Sequence, residues 1–549
     1  MSRTQTRTRT QFSFVPAIAL VSALALTSCT AAGTGPTSEG PVTYELTAQT
    51  PAPSGDIDSF TWVTYAEPYS LDNAYAFDYP DNQVLSNVCE SLLRLNPDFS
   101  ISPSLAESFD NPDPVTWVYE LRSGVTFHDG SPVTAADAVA SMQRHINPEI
   151  GSSWYSVYQN VASIDETGPM EVTVTLMKPD SLFNQGMSGA AGVVESAQTL
   201  ADAGREYGNS TALVNCTGPF EVSSWKSGES ITLTRYDQYW NPELMAKAEE
   251  VTMLFMADPN ARVNALTSGQ VDGGWFVPSE AIEKLQASSG DLYFGLNSSV
   301  ASLIVSNMEG VLGDVNVRKA LLMAIDRQGV VDAGLQGYAQ LTNALTTESV
   351  WGGVSAETRD ETFAGLEEYP YDVDAAKKLI EDAGVAGETI VIRTAPMGAE
   401  FTIVAQATAA AAKSIGLEAT IETMTPDAYT TLFADPSARE GVDLFLTSWY
   451  LSTPNPLEMY GVLQTGQFSN YGNWTDPQYD ALVDEGVAAQ DAQESAEISA
   501  QLQQIASEQL PWLPLYEVPM TVYLGGRITG VAPSVAMLYY PWAATIGKR

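Results

Sequence analysis

Apolar and polar residues recur along the chain with two different periods, which indicates a protein built from both strands and helices. Residues Ile57 to Tyr65 are rich in aromatic and β-branched side chains and predict a strand. Met170 to Met177 alternates as a half-buried strand does. Between them, Thr134 to Asp137 matches a helix capping box. Apolar residues then follow on one helical face: Val139, Met142 and Ile146.

The second half of the chain has a clearer pattern. Asp314 and Asp372 stand where helices are predicted to begin, because a carboxylate can cap the free backbone N–H groups there. Thr389 to Thr394 predicts a strand, Thr402 to Ile415 a helix and Leu417 to Thr423 a second strand. This order is a βαβ unit, in which the two strands run parallel through a right-handed crossover.

Residues Val442 to Trp449 form a largely apolar run, the pattern of a strand covered on both faces. Two helices are predicted at about 476–488 and 492–510, and an extended segment at 511–515 follows them. The alternation of strands and helices predicts an α/β fold. We expect two α/β lobes, with the chain crossing between them near Asn307 and again near Leu515.

The amino terminus has the pattern of an export signal. Three arginines precede the apolar run Phe14 to Leu26, which is too short to span a bilayer. Leu26 to Cys29 resembles a bacterial lipobox, so residues 1–29 are interpreted as a signal peptide and Cys29 as the lipidated residue. Ordinary signal cleavage nearby, with Cys29 removed, is the alternative. Residues 30–56 are predicted to be a flexible tether.

Charge narrows the class of partner. The formal net charge is −42, and residues 1–29 carry three basic and no acidic side chains, so the rest of the chain carries −45. A surface this negative repels nucleic acid and anionic lipid, which leaves the lipid anchor as the contact with the membrane. Solubility at the cell surface is the favoured interpretation of the acidity, and a cleft for a cationic ligand is the alternative.

Cysteine usage fits an oxidising compartment. With Cys29 assigned to lipid, Cys89 and Cys216 remain as one pair, and a disulfide between them is predicted. Two free, buried thiols are the alternative.

Residue patterns that support catalysis are missing from the sequence. The two histidines, His128 and His145, have no metal-ligand spacing, and no nucleophile elbow, P-loop or dinucleotide fingerprint occurs. The sequence therefore predicts no enzyme, no metal and no cofactor. Trp275 and the pair Trp449–Tyr450 stand where predicted strands end, which is where α/β sheets bind small organic solutes.

Several motifs resemble one family closely. The stretch Trp117 to Gly130 (WVYELRSGVTFHDG) and the stretch Asp314 to Leu321 (DVNVRKAL) resemble the signatures of family 5 extracellular solute-binding proteins, the oligopeptide, dipeptide and nickel-binding type. Further matches occur in chain order: Leu105 to Ser108, Pro132 to Asp137, Thr217 to Phe220, Tyr239–Trp240, Asn260 to Arg262, Ser268 to Asp272, Ala324 to Arg327 and Pro514 to Tyr516. The resemblance covers nearly all of the chain that follows the predicted signal.

The resemblance implies a two-lobed clamp of the periplasmic-binding-protein type II class, with an extra small α/β subdomain in the first lobe. Lobe I is assigned to residues 57–307 and 515–549, with the small subdomain at about 86–215, and lobe II to residues 308–514. The implied function is capture of a small solute or peptide and its delivery to an ABC permease by a monomeric, lipid-anchored protein. A secreted hydrolase and a surface adhesion module are the alternatives.

Peptide binders of this kind place an Asp three residues after the Trp of the late strand, where it pairs with the amino group of the ligand. Ser452 stands at that position here, and a hydroxyl cannot neutralise an ammonium. Modified peptides, sugars and other solutes are therefore candidates beside ordinary peptides. The predicted ligand-binding residues are Tyr65, Trp275, Trp449, Tyr450, Ser452 and Asn455.

Overall fold

The computed structural model describes residues 44–352 and 354–549. Its strands, in chain order, are β1 (Ile57–Thr64), β2 (Leu93–Leu95), β3 (Ile101–Pro103), β4 (Ala106–Asp113), β5 (Thr116–Leu121), β6 (Val161–Gly168), β7 (Glu171–Leu176), β8 (Phe220–Lys226), β9 (Ser230–Arg235), β10 (Ala248–Phe255), β11 (Gly273–Trp275), β12 (Asp291–Gly295), β13 (Val300–Val305), β14 (Gln340–Leu341), β15 (Thr389–Thr394), β16 (Glu418–Thr423), β17 (Leu444–Trp449), β18 (Trp512–Glu517), β19 (Met520–Leu524), β20 (Ile528–Thr529) and β21 (Gly547–Lys548).

The α-helices are α1 (Tyr79–Val88), α2 (Ala135–Ile146), α3 (Tyr155–Tyr158), α4 (Ser181–Gly186), α5 (Ala197–Ala203), α6 (Pro259–Ser268), α7 (Ile282–Gln286), α8 (Val315–Ala324), α9 (Arg327–Leu335), α10 (Ala356–Ala364), α11 (Val373–Ala383), α12 (Ala399–Ser414), α13 (Pro426–Ala434), α14 (Leu457–Val462), α15 (Pro477–Ala488) and α16 (Ala492–Gln509).

Most strands belong to three sheets. One has seven strands in the order β12-β19-β11-β1-β10-β9-β8, and a second has six in the order β14-β18-β13-β17-β15-β16. The third has the order β4-β5-β7-β6 and lies inside the segment predicted as the small subdomain, with an apolar cluster of its own that includes Tyr119, Val172 and Val174.

Local sequence signals placed four helix ends correctly, while α12 begins three residues before its predicted start. Asp314 and Asp372 cap α8 and α11, each carboxylate accepting a hydrogen bond from a backbone N–H of the first turn. Gly384 ends α11 with φ of 70°, a left-handed conformation that glycine adopts without steric cost. Thr134 and Asp137 form the predicted capping box at the start of α2.

The predicted βαβ unit is also present. Strands β15 and β16 pair in parallel from Thr389 opposite Glu418 to Thr394 opposite Thr423, with α12 between them in the chain. Strand β17 lies between β13 and β15, and four of its six residues are buried. Its apolar sequence therefore reflects coverage on both faces, as predicted.

The chain passes between the two large sheets twice. It leaves the seven-stranded sheet after Gly295 and enters the six-stranded sheet at Val300, and it returns between Glu517 and Met520. Strand β13 belongs to the six-stranded sheet because it pairs with β17 and β18. The lobe crossings near Asn307 and Leu515 stay a prediction.

The predicted tether needs a correction within the described residues. Backbone N–H groups of Thr47 and Ser54 donate to carbonyls of Phe294 (2.6 Å) and Lys548 (2.7 Å). Thr50 is 2 % exposed and bonds to the Val531 carbonyl through both its backbone and its hydroxyl. These hydrogen bonds hold residues 46–55 on the folded body. Their partners are distant in the chain, so local composition does not reveal them. Residues 30–43, Cys29 and the predicted signal lie outside the described residues.

The two remaining cysteines are joined. Cys89, which directly follows α1, forms a disulfide with Cys216, which precedes β8, and both are buried. The residues that follow the two cysteines are also joined, since the Thr217 hydroxyl donates a hydrogen bond to the Glu90 carboxylate at 2.9 Å. The predicted pairing is therefore present, and the alternative of two free thiols is not.

Candidate ligand-binding site

Three aromatic residues follow the ends of strands in the two large sheets. Strands β1 and β11 pair in parallel, so their carboxyl ends lie at the same edge of the seven-stranded sheet. Tyr65 directly follows β1 and Phe276 directly follows β11, while Tyr450 directly follows β17 of the six-stranded sheet. The edge beyond the carboxyl ends of strands is the usual ligand position in open α/β sheets.

These side chains meet around the first residue of α1. The ring centroid of Tyr79 lies 4.6 Å from that of Phe276 and 5.4 Å from that of Tyr450, and the rings of Tyr65 and Phe276 are 6.4 Å apart. The Tyr450 hydroxyl also donates to the Phe77 carbonyl at 2.9 Å. Side chains from both sheets therefore share one cluster. We call it the aromatic junction, and its members are Tyr65, Tyr79, Phe276, Tyr450 and Tyr539.

The hydroxyls of the aromatic junction stay protonated over the physiological pH range. Burial is the main cause that raises the pKa of Tyr65, Tyr79 and Tyr450 well above the ordinary value for tyrosine. The neighbouring Tyr539 hydroxyl adds to this effect on the pKa of Tyr450. The junction therefore offers neutral O–H groups and ring faces, which suit an organic solute.

Trp275 is placed beneath the junction and not on it. Its side chain is 5 % exposed and packs between Trp62 and Trp542, each with a ring centroid 5.7 Å away. Phe276, the next residue, lies outside the strand with φ of 54°, and its ring contacts Tyr65 and Tyr79. Trp275 therefore lies in the core of the described structure, and a direct contact with a ligand stays a prediction.

Trp449, the last residue of β17, and Tyr450, which follows it, also have different surroundings. Trp449 is half-buried and packs on Trp512 at 5.5 Å and on Tyr471 at 6.5 Å, within the six-stranded half of the molecule. Tyr450 is the one that reaches the aromatic junction. A direct contact of Trp449 with a ligand stays a prediction.

Ser452 lies in a loop that a carboxylate organises. One oxygen of Glu458 accepts the Ser452 hydroxyl at 2.8 Å and the Ser452 backbone N–H at 3.0 Å. The other oxygen accepts the backbone N–H and the hydroxyl of Thr453. These four bonds fill the acceptor positions of the carboxylate, and the Ser452 proton is used in one of them. Ser452 can therefore accept a hydrogen bond from a ligand but has no proton left to donate.

Asn455 has a structural role in the same loop. It is 9 % exposed, and its side-chain oxygen accepts the backbone N–H of Leu457 at 2.9 Å, at the start of α14. Across from the loop lies Gly189, where an added methyl group would come within 3.9 Å of the Ser452 carbonyl and 3.8 Å of the Tyr539 ring. The Ser452 loop thus faces residues of the first half of the chain, as the wall of an interlobe site would.

A polar cavity of the described residues lies at another sheet edge. A cavity of about 700 Å³ is lined by polar and charged groups, among them Asn307, Arg318, Arg439 and Gln509. It opens beside Val305 and Leu444, which pair with one another at the far end of β13 and β17. At about 3.3 Å per residue, that end lies roughly 17 Å along the strand from Trp449. None of the predicted ligand-binding residues lines this cavity.

The described residues contain neither a metal-binding cluster nor a helix suited to span a membrane. No group of three or more His, Cys, Asp or Glu side chains is arranged to hold a metal ion. Among the helices of residues 44–352 and 354–549, none combines the length and the apolar character that a bilayer crossing requires.

Comparison with known proteins identifies the family. Residues 100–471 match the family described as bacterial extracellular solute-binding proteins, family 5 Middle. The chain belongs to this family. Members of family 5 are solute-binding proteins that serve ABC transporters and are not enzymes, so the hydrolase and adhesion alternatives are set aside.

Relatives and solved structures agree with the family 5 assignment. The glutathione-binding protein GsiB of Salmonella typhi is 26 % identical over 476 residues, which cover 84 % of this chain and 89 % of GsiB. The periplasmic binding protein DppA of Helicobacter pylori, solved with the peptide STSA, has a TM-score of 0.76 at 19 % identity and covers 90 % of this chain and 98 % of DppA. AgaA of A. tumefaciens R10, solved with agropinic acid, has a TM-score of 0.75 at 21 % identity and covers 89 % of this chain and 99 % of AgaA.

The structural neighbours confirm the predicted fold class. The protein has the mixed α/β architecture of two-lobed periplasmic binding proteins, consistent with the type II clamp. Family membership also places the protein outside the cytoplasm.

The sequence did not reveal several residues of this site. Tyr79, Phe276, Tyr539 and Glu458 were not predicted, although each stands within a few residues of an element boundary. Asp78 could have been recognised as a helix cap, since an Asp before Tyr-Pro matches that pattern. Its place beside Tyr65, at 3.4 Å from the hydroxyl, depends on contacts that only the fold creates.

Proposed function

We propose that this protein is the substrate-binding component of an ABC importer for a peptide-like solute, which it captures between two lobes and delivers to the membrane permease. The aromatic junction carries this proposal. Side chains that follow β1 and β11 of one sheet and β17 of the other meet there, close to the segments that connect the two sheets. A ligand in contact with both sheets would favour the closed arrangement of the lobes.

Peptide-like chemistry is supported by relatives and by the side chains present. GsiB binds glutathione and DppA was solved with a peptide, which gives two related proteins with amide-containing ligands. The junction supplies ring faces and neutral hydroxyls, and Ser452 supplies a hydroxyl oxygen polarised by Glu458. Rings that pack on a ligand and a few directed polar groups are the usual composition of such pockets.

The arrangement of lobes and anchor is part of the same proposal. The lobes follow the two large sheets, so residues 57–295 and 520–549 would form lobe I and residues 300–517 lobe II, with the small subdomain at about 86–215. Lipidation of Cys29 would hold a monomer at the outer face of the cytoplasmic membrane. This placement is supported by the lipobox-like sequence and by the family.

The test uses protein purified without denaturation from its native source. Mass spectrometry of the solute released from it should find one peptide-like compound in a stoichiometric amount. Adding that compound back to ligand-free protein should give saturable binding and a higher melting temperature. Release of an altered product from the added compound would contradict the proposal, and so would the absence of saturable binding.

A matched pair of variants tests the position of the site. Tyr65→Ala removes a ring of the aromatic junction and should weaken binding by about tenfold to a hundredfold, the scale for an aromatic anchor. Tyr371→Ala removes an exposed tyrosine outside the junction and should leave the affinity unchanged. Equal affinities of both variants for the solute would place the site elsewhere.

A further inference from the structure

Three carboxylates surround the aromatic junction without a counter-charge. Asp78 and Asp81 lie at the start of α1, and Glu458 holds the Ser452 loop. Asp78 and Glu458 both act electrostatically on the Tyr450 hydroxyl, so both carboxylates lie near it. Within the described residues, no Lys or Arg forms an ion pair with any of the three.

Asp81 is the carboxylate that the protein itself leaves incompletely bonded. It is 1 % exposed, and one of its oxygens accepts the backbone N–H of Tyr69 at 2.7 Å. The other oxygen is buried and has no hydrogen-bond donor. A buried carboxylate oxygen without a donor or cation is costly, and native structures seldom keep one without a functional reason. Asp81 acts electrostatically on the Tyr65 hydroxyl, so this carboxylate lies near the junction.

Capping of α1 explains only part of the acidic group. Asp78 is the N-cap, and one of its oxygens accepts the Tyr79 backbone N–H at 2.8 Å and the Tyr65 hydroxyl at 3.4 Å. Asp78 is exposed, so its second oxygen can reach a ligand. Helix capping accounts for these bonds and for the acidic character of the first turn. It does not account for the buried oxygen of Asp81 that has no donor.

Arg262, a cation near the junction, bonds to backbone carbonyls instead of to these carboxylates. Arg262 lies close enough to Tyr65 for the two to interact electrostatically, but its guanidinium donates to the carbonyls of Met256 and Ala257 at 2.8 and 2.9 Å. Aromatic rings attract cations through their negative faces, and several rings next to carboxylates form a favourable site for an ammonium or guanidinium group.

We infer that the cleft selects a ligand that carries a cationic group, an ammonium or a guanidinium, which binds Asp78 against the rings of Tyr65 and Tyr79, with Asp81 behind them. This inference rests on the proposed function and specifies its ligand class: a basic peptide-like solute. Glu458 adds negative potential near Tyr450, although its own acceptor positions are filled by the Ser452 loop.

The test compares three probe peptides by isothermal titration calorimetry on the full-length protein. The probes are Gly-Lys-Gly, the same peptide with both amines acetylated, and amino-terminally acetylated Gly-Glu-Gly, which has no ammonium group. We expect Gly-Lys-Gly to bind at least about tenfold more tightly than the other two, since one charge-assisted hydrogen bond has that effect. Higher salt should reduce this preference, because it screens a partly exposed ion pair.

Variants then assign the preference to the acidic group. Asp78→Asn combined with Asp81→Asn should weaken Gly-Lys-Gly by about tenfold or more and leave the acetylated peptide unaffected. Asp110→Asn, at an exposed aspartate of β4, is the matched control and should change neither affinity. A melting curve of each variant and its binding of the acetylated peptide show whether it is folded.

The outcomes separate the inference from the function on which it rests. Equal or tighter binding of the acetylated or the glutamate peptide by the unmodified protein overturns the inference and leaves solute binding intact. A lysine preference that persists in the double variant also overturns it. Binding of none of the three peptides counts against both the cationic ligand and the peptide-binding function. The comparison on the unmodified protein decides the matter even if the double variant does not fold.

Discussion

The disulfide between Cys89 and Cys216 is the feature whose contribution can be worked out most directly. The bond closes a loop with a sequence separation of 127 and encloses the entire four-stranded sheet. It joins the end of α1 to the segment that leads into β8. Replacing both cysteines, Cys89→Ala with Cys216→Ala, removes this constraint from the unfolded chain.

On the chain-entropy model, a loop of this length stabilises the folded state by about 5 kcal/mol at 25 °C. The unfolding entropy is about 2 cal/mol/K per residue, or about 1 kcal/mol/K for a body of roughly 500 residues. If that body unfolds as one unit, the melting temperature should fall by about 5 °C. A larger fall would show that a smaller unit containing the four-stranded sheet unfolds by itself, because the same free energy then acts on a smaller entropy.

Differential scanning calorimetry measures this shift, with reduced protein as the internal control. Reduction of the unmodified protein should lower its melting temperature to that of the double variant, and the reductant should have no effect on the variant. Peptide mapping without reduction should recover the two cysteines linked. Equal melting temperatures for the unmodified protein and the variant, or two freely alkylated thiols in the native protein, would refute this reasoning.

Four further predictions concern Cys29, Trp449, Ser452 and Asp81. Cys29→Ala should release the protein into the medium or leave an uncleaved precursor, and unchanged membrane retention on fractionation would contradict a lipid anchor. Trp449→Ala should weaken ligand binding by about 1–3 kcal/mol if the ring contacts the solute; a loss of about 3–5 kcal/mol in the free energy of unfolding would instead assign it to the core with Trp512. Ser452→Asp places a second carboxylate beside Glu458. The melting temperature of this variant should fall more at pH 7.5 than at pH 5, because one of the two carboxylates can be protonated at the lower pH. A loss that does not depend on pH would argue against the contact between residues 452 and 458. Burial raises the pKa of Asp81 to about 7, above its unfolded value, so the stability due to this group is present below about pH 4 and is lost as pH rises to about 7. Asp81→Asn should reduce this pH-dependent decline in the free energy of unfolding measured by urea titration. An unchanged dependence on pH would refute the prediction.

Much of the local structure was predictable from the sequence. The caps at Asp314 and Asp372 and the βαβ unit at 389–423 depend on residues close together in the chain, and the structure confirmed them. The cysteine pair was predictable from the residue count and the compartment. Family motifs added the overall architecture, because they sample nearly the whole folded body.

Local sequence patterns did not predict where the chain passes between the sheets, or that the segment before β1 is hydrogen-bonded to the folded body. Strand β13 joins the six-stranded sheet through pairing with β17 and β18, which are more than a hundred residues later in the chain. Residues 46–55 are fixed by carbonyls near residues 294, 531 and 548. Composition indicates which segments can be flexible, but it does not reveal whether distant backbone groups hydrogen-bond to them.

The predicted binding residues show most clearly which features depend on local sequence and which depend on the tertiary structure. The sequence by itself determined that aromatic side chains would follow the ends of β1, β11 and β17, because strands and their ends are local features. Only the tertiary structure decided that Phe276 faces the aromatic junction while Trp275 enters the core, and that Tyr450 does so while Trp449 packs on Trp512. It also brought Glu458 onto the Ser452 loop and left one oxygen of Asp81 without a donor. Phe276 and Tyr450 each come directly after a strand, and the packing of distant elements against the sheet determines which of two neighbouring rings reaches the junction.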